Sequence, residues 1–386
     1  MVDISRREGL AMVAGAAIAT CTGCTLPAPA KDMSKQPLKA IAAHKGMRFG
    51  SAVCWSDPDA DSPSFANPAY ASLVERECAI IVPENELKAQ VIRPNATTFD
   101  FSRFDQLIAW AEARKLIVRG HNLLWNQRER MPPWMESHDY GPMPRAEAAR
   151  ILTDHVHTVC TRYGTRIRDY DVVNEAVNPI DGTFYETALS KALGSTESAM
   201  DLAFRTARDA APHARLVYND YMSWEPGNDL HRAGVLAALK GFRQRGTPVD
   251  ALGIQSHLVA QGTDAGAAAG AQTRAWQRFL DEVVGMGYGL LITELDVRDE
   301  NLPADIPLRD HAVADYARAY LDVMLAYPQL TDILVWGLCD RYTWINAALP
   351  RRDGVKSRPC LYDEAFSPKL LRAAVATTLD VANRKG

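Results

Sequence analysis

A chain of 386 residues that is 47% hydrophobic and 23% charged can bury a full core, which argues against an intrinsically disordered protein. Its formal net charge of -4, with no run of clustered Lys and Arg, argues against a nucleic-acid partner, because a phosphate backbone selects concentrated positive charge. Beyond residue 30 no stretch holds the ~20 consecutive apolar residues of a transmembrane span.

The N-terminus stands apart from the body. Ser5-Arg6-Arg7 precedes an apolar, small-residue run over 9–20, too short to span as a helix, and residues 1–24 read as an export signal. The paired arginines resemble a twin-arginine signal, which implies a bacterial protein that is periplasmic, attached to the outer envelope or secreted. Two processing routes stay open. Gly23-Cys24 resembles a lipoprotein cleavage site and would place a lipid anchor on Cys24, although Cys21 stands where such sites usually carry Leu; ordinary cleavage near Ala28 to Ala30 is the other route. Residues 25–40, rich in Pro, Ala and Lys and without period, read as a linker. Order is expected from Ile41, in one domain over 41–386.

From Met47 onward short apolar runs alternate eight times with longer segments of helical period. The runs are 48–53, 78–83, 116–124, 170–173, 216–218, 251–255, 290–293 and 333–338. Nearly continuous hydrophobicity over so few residues is the pattern of parallel strands covered on both faces. Between them, 145–163 carries Ile151, Leu152, Val156, Val159 and Tyr163 at steps of three and four, an amphipathic helix. Further helices are expected near 104–115, 197–211, 230–245, 276–286, 309–327 and 368–382. Strand followed by helix, eight times over, closes most simply into a (β/α)8 barrel of the α/β class. A doubly wound open sheet is disfavoured because Gly50-Ser51-Ala52-Val53-Cys54-Trp55 lacks the G-x-G-x-x-G phosphate turn.

Five cysteines lie beyond the linker: Cys54, Cys78, Cys160, Cys339 and Cys360. They lack short metal-ligand spacing, so no metal site is expected. Four of them sit in apolar runs, where a buried thiol is the common case, and Cys339 with Cys360 is the pair to test for a disulfide. His155 and His157 read as ordinary helix residues, and Arg351, Arg352 and Asp353 as a solvated loop.

Active sites of such barrels lie at the carboxyl ends of the strands. There the sequence places Glu84-Asn85 and Lys88 after the second run, Gly120-His121 to Trp125 in the third, and Asn174-Glu175 after the fourth. Asn219-Asp220-Tyr221 follows the fifth, Gln255-Ser256-His257 the sixth, Glu294-Leu295-Asp296 the seventh, and Trp336 and Trp344 come with the eighth. Glycoside hydrolysis needs two carboxyl groups flanking the scissile bond, ~5 to 5.5 Å apart in a retaining enzyme. Glu175 and Glu294 end strands that face each other across an eight-stranded ring. Two carboxylates so close are expected to split their pKa values. The competing reading, that each glutamate merely caps a helix, loses weight when both occur with amide and imidazole neighbours.

Asp171-Val172-Val173-Asn174-Glu175-Ala176, Gly253-Ile254-Gln255-Ser256-His257 and Ile292-Thr293-Glu294-Leu295-Asp296, in that order and over most of the chain, strongly resemble glycoside hydrolase family ten, the endo-β-1,4-xylanases. The resemblance implies a retaining double displacement on xylan or xylooligosaccharides, with Glu175 as acid/base and Glu294 as nucleophile. It places Asn174 on the sugar 2-hydroxyl, and His257 and Asp296 as the pair that orients the nucleophile. Glu84, Asn85, Lys88, His121 and Trp125 would line the glycone subsites, Gln255 would lie beside the reacting sugar, and Trp336 and Trp344 would form aromatic platforms. Asn219 and Tyr221 would serve the aglycone side. No cofactor is expected, since hydrolysis needs only water, and a monomer is expected. Three positions depart from the family pattern: Ala89 replaces Trp, Asn126 replaces His, and Met222 replaces Asn. The stretch 126–134 is also about two residues longer than usual. If these are lost sugar contacts, a retaining β-1,4-glycanase with glucan or mixed-polymer preference is the alternative, and a non-catalytic carbohydrate-binding barrel is a third reading.

Overall fold

The computed structural model describes residues 36–262 and 269–382. The export signal, Cys24 and most of the linker lie outside the described residues. Parallel strands β1 (Arg48–Val53), β2 (Ile80–Pro83), β3 (Ile117–Trp125), β4 (Ile167–Asn174), β5 (Arg215–Asp220), β6 (Ala251–Ile254), β8 (Gly289–Arg298) and β9 (Leu330–Val335) form the (β/α)8 barrel. The ring closes through β1 on β9 and β6 on β8. β7 (His257–Val259) prolongs the sixth barrel strand beyond a bend at Ser256, whose φ is 63°, and pairs with the end of β8 through His257 and Asp296.

Each expected strand is present, and β8 runs past the expected end at 293. Its charged residues Glu294 and Asp296 interrupt the apolar run, yet both are buried, because the pairing with β7 keeps the backbone extended. The expected helices are also present. Pro144–Tyr163 starts with proline at its first position, where no intrahelical N–H is needed, and buries Ile151, Leu152, Val156, Val159 and Tyr163. Ser195 and Asp305 cap Thr196–Ala210 and Ile306–Met324 by accepting backbone N–H bonds. Six α-helices among the described residues were not expected, and two of them shape the start of the barrel. Pro68–Glu77, capped by Asn67, fills the first crossover. Leu38–His44 begins inside the segment read as linker and buries Leu38, Ile41 and Ala42; the Leu38 N–H donates to Glu77 at 2.8 Å, fastening the chain entry to the barrel.

The early residues of four strands carry charge into the barrel interior. Arg48 of β1 pairs with Asp169 of β4 and Asp332 of β9, and Arg215 of β5 pairs with the same two aspartates. Both aspartates are almost fully buried, and the arginines hold the Asp332 carboxyl down at about 2 against its burial. This quartet closes the end opposite the strand termini, so the fold is stiff where no chemistry is expected.

All five described cysteines are free thiols, four of them buried, so Cys339 and Cys360 form no disulfide here. Arg351 is also no solvated charge. It is 5% exposed and donates to the carbonyls of Asp299 and Leu302 as well as to the Asp353 carboxylate. His155 is buried in its helix and kept neutral, its pKa lowered to about 3 by burial and the Arg93 charge. No helix among the described residues is long and apolar enough to cross a membrane.

Removing Asp332 leaves two guanidinium groups sharing a single buried carboxylate. Asp332→Ala is expected to cost roughly 3–5 kcal/mol of unfolding free energy, the usual penalty for breaking a buried pair. Urea denaturation measures it, and a loss under about 1 kcal/mol would show that the quartet is not a stabilising plug.

Candidate active site

The carboxyl ends of the strands rim a cleft of about 620 Å³. Glu84, Asn85, Lys88, His121, Trp125, Glu175, Tyr221, Gln255, His257, Glu294, Trp336 and Trp344 all line it. The remaining expected residues, Asn174, Asn219 and Asp296, are buried behind that surface.

Glu294 ends the apolar part of β8 and is gripped on both oxygens. Asn219 Nδ2 donates to Oε1 at 2.8 Å, and His257 Nε2 lies 3.3 Å from Oε2. The other ring nitrogen of His257 is 3.0 Å from Asp296 Oδ2, which also accepts the Trp344 indole N–H at 2.9 Å. Burial alone would discharge this imidazole, but the Asp296 charge, its hydrogen bond and the bond to Glu294 push its pKa up to about 10. It is an imidazolium at neutral pH and donates to both carboxylates. Burial likewise opposes ionisation of Glu294. The His257 bond, the fields of His121 and His257, and the Asn219 amide outweigh it and hold the carboxyl below its ordinary value of 4.5.

Glu175 follows β4 in a different setting. Its φ of 51° lies in the left-handed region that non-glycine residues seldom occupy, and its N–H is fixed to the Asn219 carbonyl at 2.9 Å. Gln255 Nε2 donates to Oε1 at 2.8 Å, and the Trp125 indole N–H donates to Oε2 at 3.0 Å. Burial is the largest influence and raises the pKa. The Gln255 and Trp125 bonds oppose it, the negative charges of Glu294 and Asp220 add to it, and the net direction is upward. Two glutamates in one cleft are thus driven apart, one toward the protonated and one toward the ionised form.

One wall of the cleft holds Lys88, whose Nζ donates to Asn85 Oδ1 at 3.0 Å and lies 4.8 Å from the Trp125 ring centroid and 5.8 Å from that of Trp336. Burial lowers the Lys88 pKa, with Glu294, Glu84 and Glu175 pulling the other way. Burial and the neighbouring Glu86 raise that of Glu84, against the Lys88 charge. His121 packs edge-on to Trp336 at 5.3 Å, and its Nδ1 is 2.9 Å from the buried Asp171, which also binds Arg119.

Several expectations are corrected. Asn219 does not face the aglycone side: it is fully buried, donates to Glu294 and Asn174, and accepts from Thr293, because its place in β5 turns it into the barrel. Ala89, Asn126 and Met222 themselves do not line the cleft. All three are buried and outside the cleft, and Asn126 spends its amide on the Tyr185 carbonyl and the Thr187 hydroxyl. Other residues went unforeseen. Gln127 Nε2 donates to Glu175 at its carbonyl, 3.0 Å, and at Oε2, 3.2 Å, a third donor on that carboxyl group. Arg130, Ser223, Glu225, Asn228 and Arg298 also line the cleft.

The family model of glycosyl hydrolase family 10 matches residues 37–378. The chain belongs to glycosyl hydrolase family 10. This family 10 chain, a glycoside hydrolase, is 27% identical over 350 residues to endo-1,4-beta-xylanase B of Thermotoga neapolitana, covering 90% of this chain and 92% of that one. It is 29% identical to endo-1,4-beta-xylanase 5 of Pyricularia oryzae, covering 89% and 79%. Among solved structures, native xylanase 10B from Thermotoga maritima superposes with a TM-score of 0.77 at 28% identity, covering 89% of this chain and 98% of that one. Xylanase 10B from Thermotoga petrophila, in complex with xylobiose, gives 0.77 at 27%, covering 89% and 97%.

The electrostatics fix the shape of a pH profile. A reaction that needs ionised Glu294 and protonated Glu175 has an acid limb below the ordinary 4.5 and an alkaline limb above it. In His257→Asn the cation beside Glu294 is gone, its pKa rises, and the acid limb of kcat/KM moves to higher pH. In Gln255→Leu the Glu175 carboxylate loses a donor, and the alkaline limb moves to higher pH. An unmoved acid limb in His257→Asn would separate the imidazolium from the ionisation of Glu294.

Proposed function

We propose that the protein is a retaining endo-β-1,4-xylanase that cleaves internal bonds of xylan or xylooligosaccharides by double displacement. The observation that carries the reading is the opposed environment of two glutamates lining one cleft: Glu294 clamped by Asn219 and an imidazolium, Glu175 half-buried near a like charge. In the first step the Glu294 carboxylate attacks the anomeric carbon while Glu175 gives its proton to the departing glycosidic oxygen. A covalent glycosyl-enzyme forms and the aglycone leaves. In the second step Glu175, now a carboxylate, takes a proton from water as that water displaces Glu294 from the sugar with a second inversion. The like-charge interaction supports this change of role, because neutralising Glu294 in the ester removes one influence that kept Glu175 protonated.

Asp296 and His257 serve as positioning residues, with His257 locked between two carboxylates. The Asn174 amide fits a sugar hydroxyl contact, since its Oδ1 accepts from Asn219 while its Nδ2 has no acceptor among the described residues. Glu84, Asn85, Lys88, His121, Trp125 and Gln255 supply polar and aromatic contacts on the glycone side, Trp336 and Trp344 flank the reacting ring, and Tyr221 reaches the aglycone side. The choice of xylan rests on relatives named as endo-1,4-beta-xylanases and on a similar structure holding xylobiose. The glucan alternative drew on Ala89, Asn126 and Met222, all of which are buried, so its motive is weakened. The Ser5-Arg6-Arg7 leader supports export by a bacterium to the periplasm, the envelope or the medium. The expected enzyme is a monomer.

Glu294→Ala is expected to lower turnover of xylooligosaccharides by more than about 10³-fold while leaving the fold intact, since it removes the bond-forming group. Proton NMR of fresh product from the wild type is expected to show the β-anomer first. Early α-anomer would exclude the double displacement, and a clear preference for aryl cellobioside over aryl xylobioside would move the substrate to glucan.

A further inference from the structure

The cleft carries a cation that the proposed hydrolysis does not use. Arg130 stands in the 3₁₀ turn Arg128–Arg130. The turn is anchored on both sides: Met131 is 5% exposed, and Arg128 pairs with Glu136 at 3.3 Å. Arg130 itself is exposed, lines the cleft, and has its guanidinium carbon 4.9 Å from the Trp125 ring centroid. The Lys88 ammonium lies 4.8 Å from the same ring, and the two positive charges oppose each other. Among the described residues, no carboxylate or carbonyl oxygen bonds the Arg130 guanidinium, whose contact is the Trp125 ring.

A neutral pentose offers this fork only hydroxyl groups. A carboxylate matches its planar pair of N–H donors and also relieves the repulsion from Lys88. We propose that Arg130, with Lys88 behind it, forms a subsite for a carboxylate borne by the substrate, a uronic acid attached as a side group to a sugar on the Trp125 side of the cleft. The inference rests on the xylanase reading and names the decorated form of that substrate. The site is open to water, so the contribution is modest and sensitive to salt.

The test compares kcat/KM for two xylooligosaccharides of equal length, one carrying a single glucuronosyl side group on a glycone-side sugar and one unsubstituted. The readout is the ratio of the two values in the wild type, R130Q and R130K. R130Q is expected to lower the ratio by about fivefold, R130K to retain part of it, and 0.5 M NaCl to shrink the difference between wild type and R130Q. A ratio unchanged in R130Q, or a ratio equally insensitive to salt in both proteins, overturns the subsite. Wild-type turnover of the unsubstituted oligosaccharide reports separately on the xylanase reading, so the two failures are distinguishable.

Discussion

The site depends on one interaction, the imidazolium of His257 held between Asp296 and Glu294. Each of its ring nitrogens faces a carboxylate, at 3.0 and 3.3 Å, in a half-buried place on the cleft wall. Without that cation Glu294 would lose the strongest influence that opposes its burial, and its pKa would rise. Glu175 would then lose one of the influences that raise its pKa, with burial remaining the largest, and the two carboxyl groups would be driven less far apart. The geometry comes directly from the bend at Ser256, which lets β7 continue the sixth barrel strand and lie against the end of β8 with His257 opposite Asp296. A backbone bend between two short strands therefore sets the surroundings, and through them the charge, of the next side chain, His257.

The rest of the barrel makes that arrangement rigid. The Arg48, Asp169, Arg215 and Asp332 quartet ties β1, β4, β5 and β9 together at the far end. β4 and β5 are also joined near the mouth by Asn219, which bonds Asn174 and Glu294 through its side chain and Glu175 through its carbonyl. Asn219 thus touches both glutamates while remaining wholly inside the protein. The strength of such fixed donors is that they need no reorganisation when charge moves between the two carboxyl groups.

Much of this was legible in the sequence. Short continuous apolar runs reveal parallel strands, and the rule that barrel chemistry sits at strand ends leads to Glu175 and Glu294. What stayed hidden depended on partners far along the chain. The helix Pro68–Glu77 ends in charged residues, yet Glu77 is buried by a pair with Arg372, which no local pattern announces. Direction was the second obstacle. Lys88, Trp125 and Tyr221 line the cleft, whereas their immediate successors Ala89, Asn126 and Met222 are buried away from it, as adjacent side chains on extended or turning backbone diverge. Departures from the motif at those positions read as changed sugar contacts, whereas the side chains present there pack inside the protein. Gln127 and Arg130 belong to an irregular turn without period, so neither could be placed before the fold was known.

The central claim is that surroundings, and not residue type, set two glutamates to opposite protonation states. Selective ¹³C labelling of the glutamate carboxyl carbons, with Glu175→Gln and Glu294→Gln used to assign the resonances, follows each titration directly. Glu175 is expected to titrate above 4.5 and Glu294 below it, with the Glu175 midpoint falling once residue 294 is neutral. Indistinguishable midpoints, or a Glu175 midpoint indifferent to the charge at 294, would contradict the account.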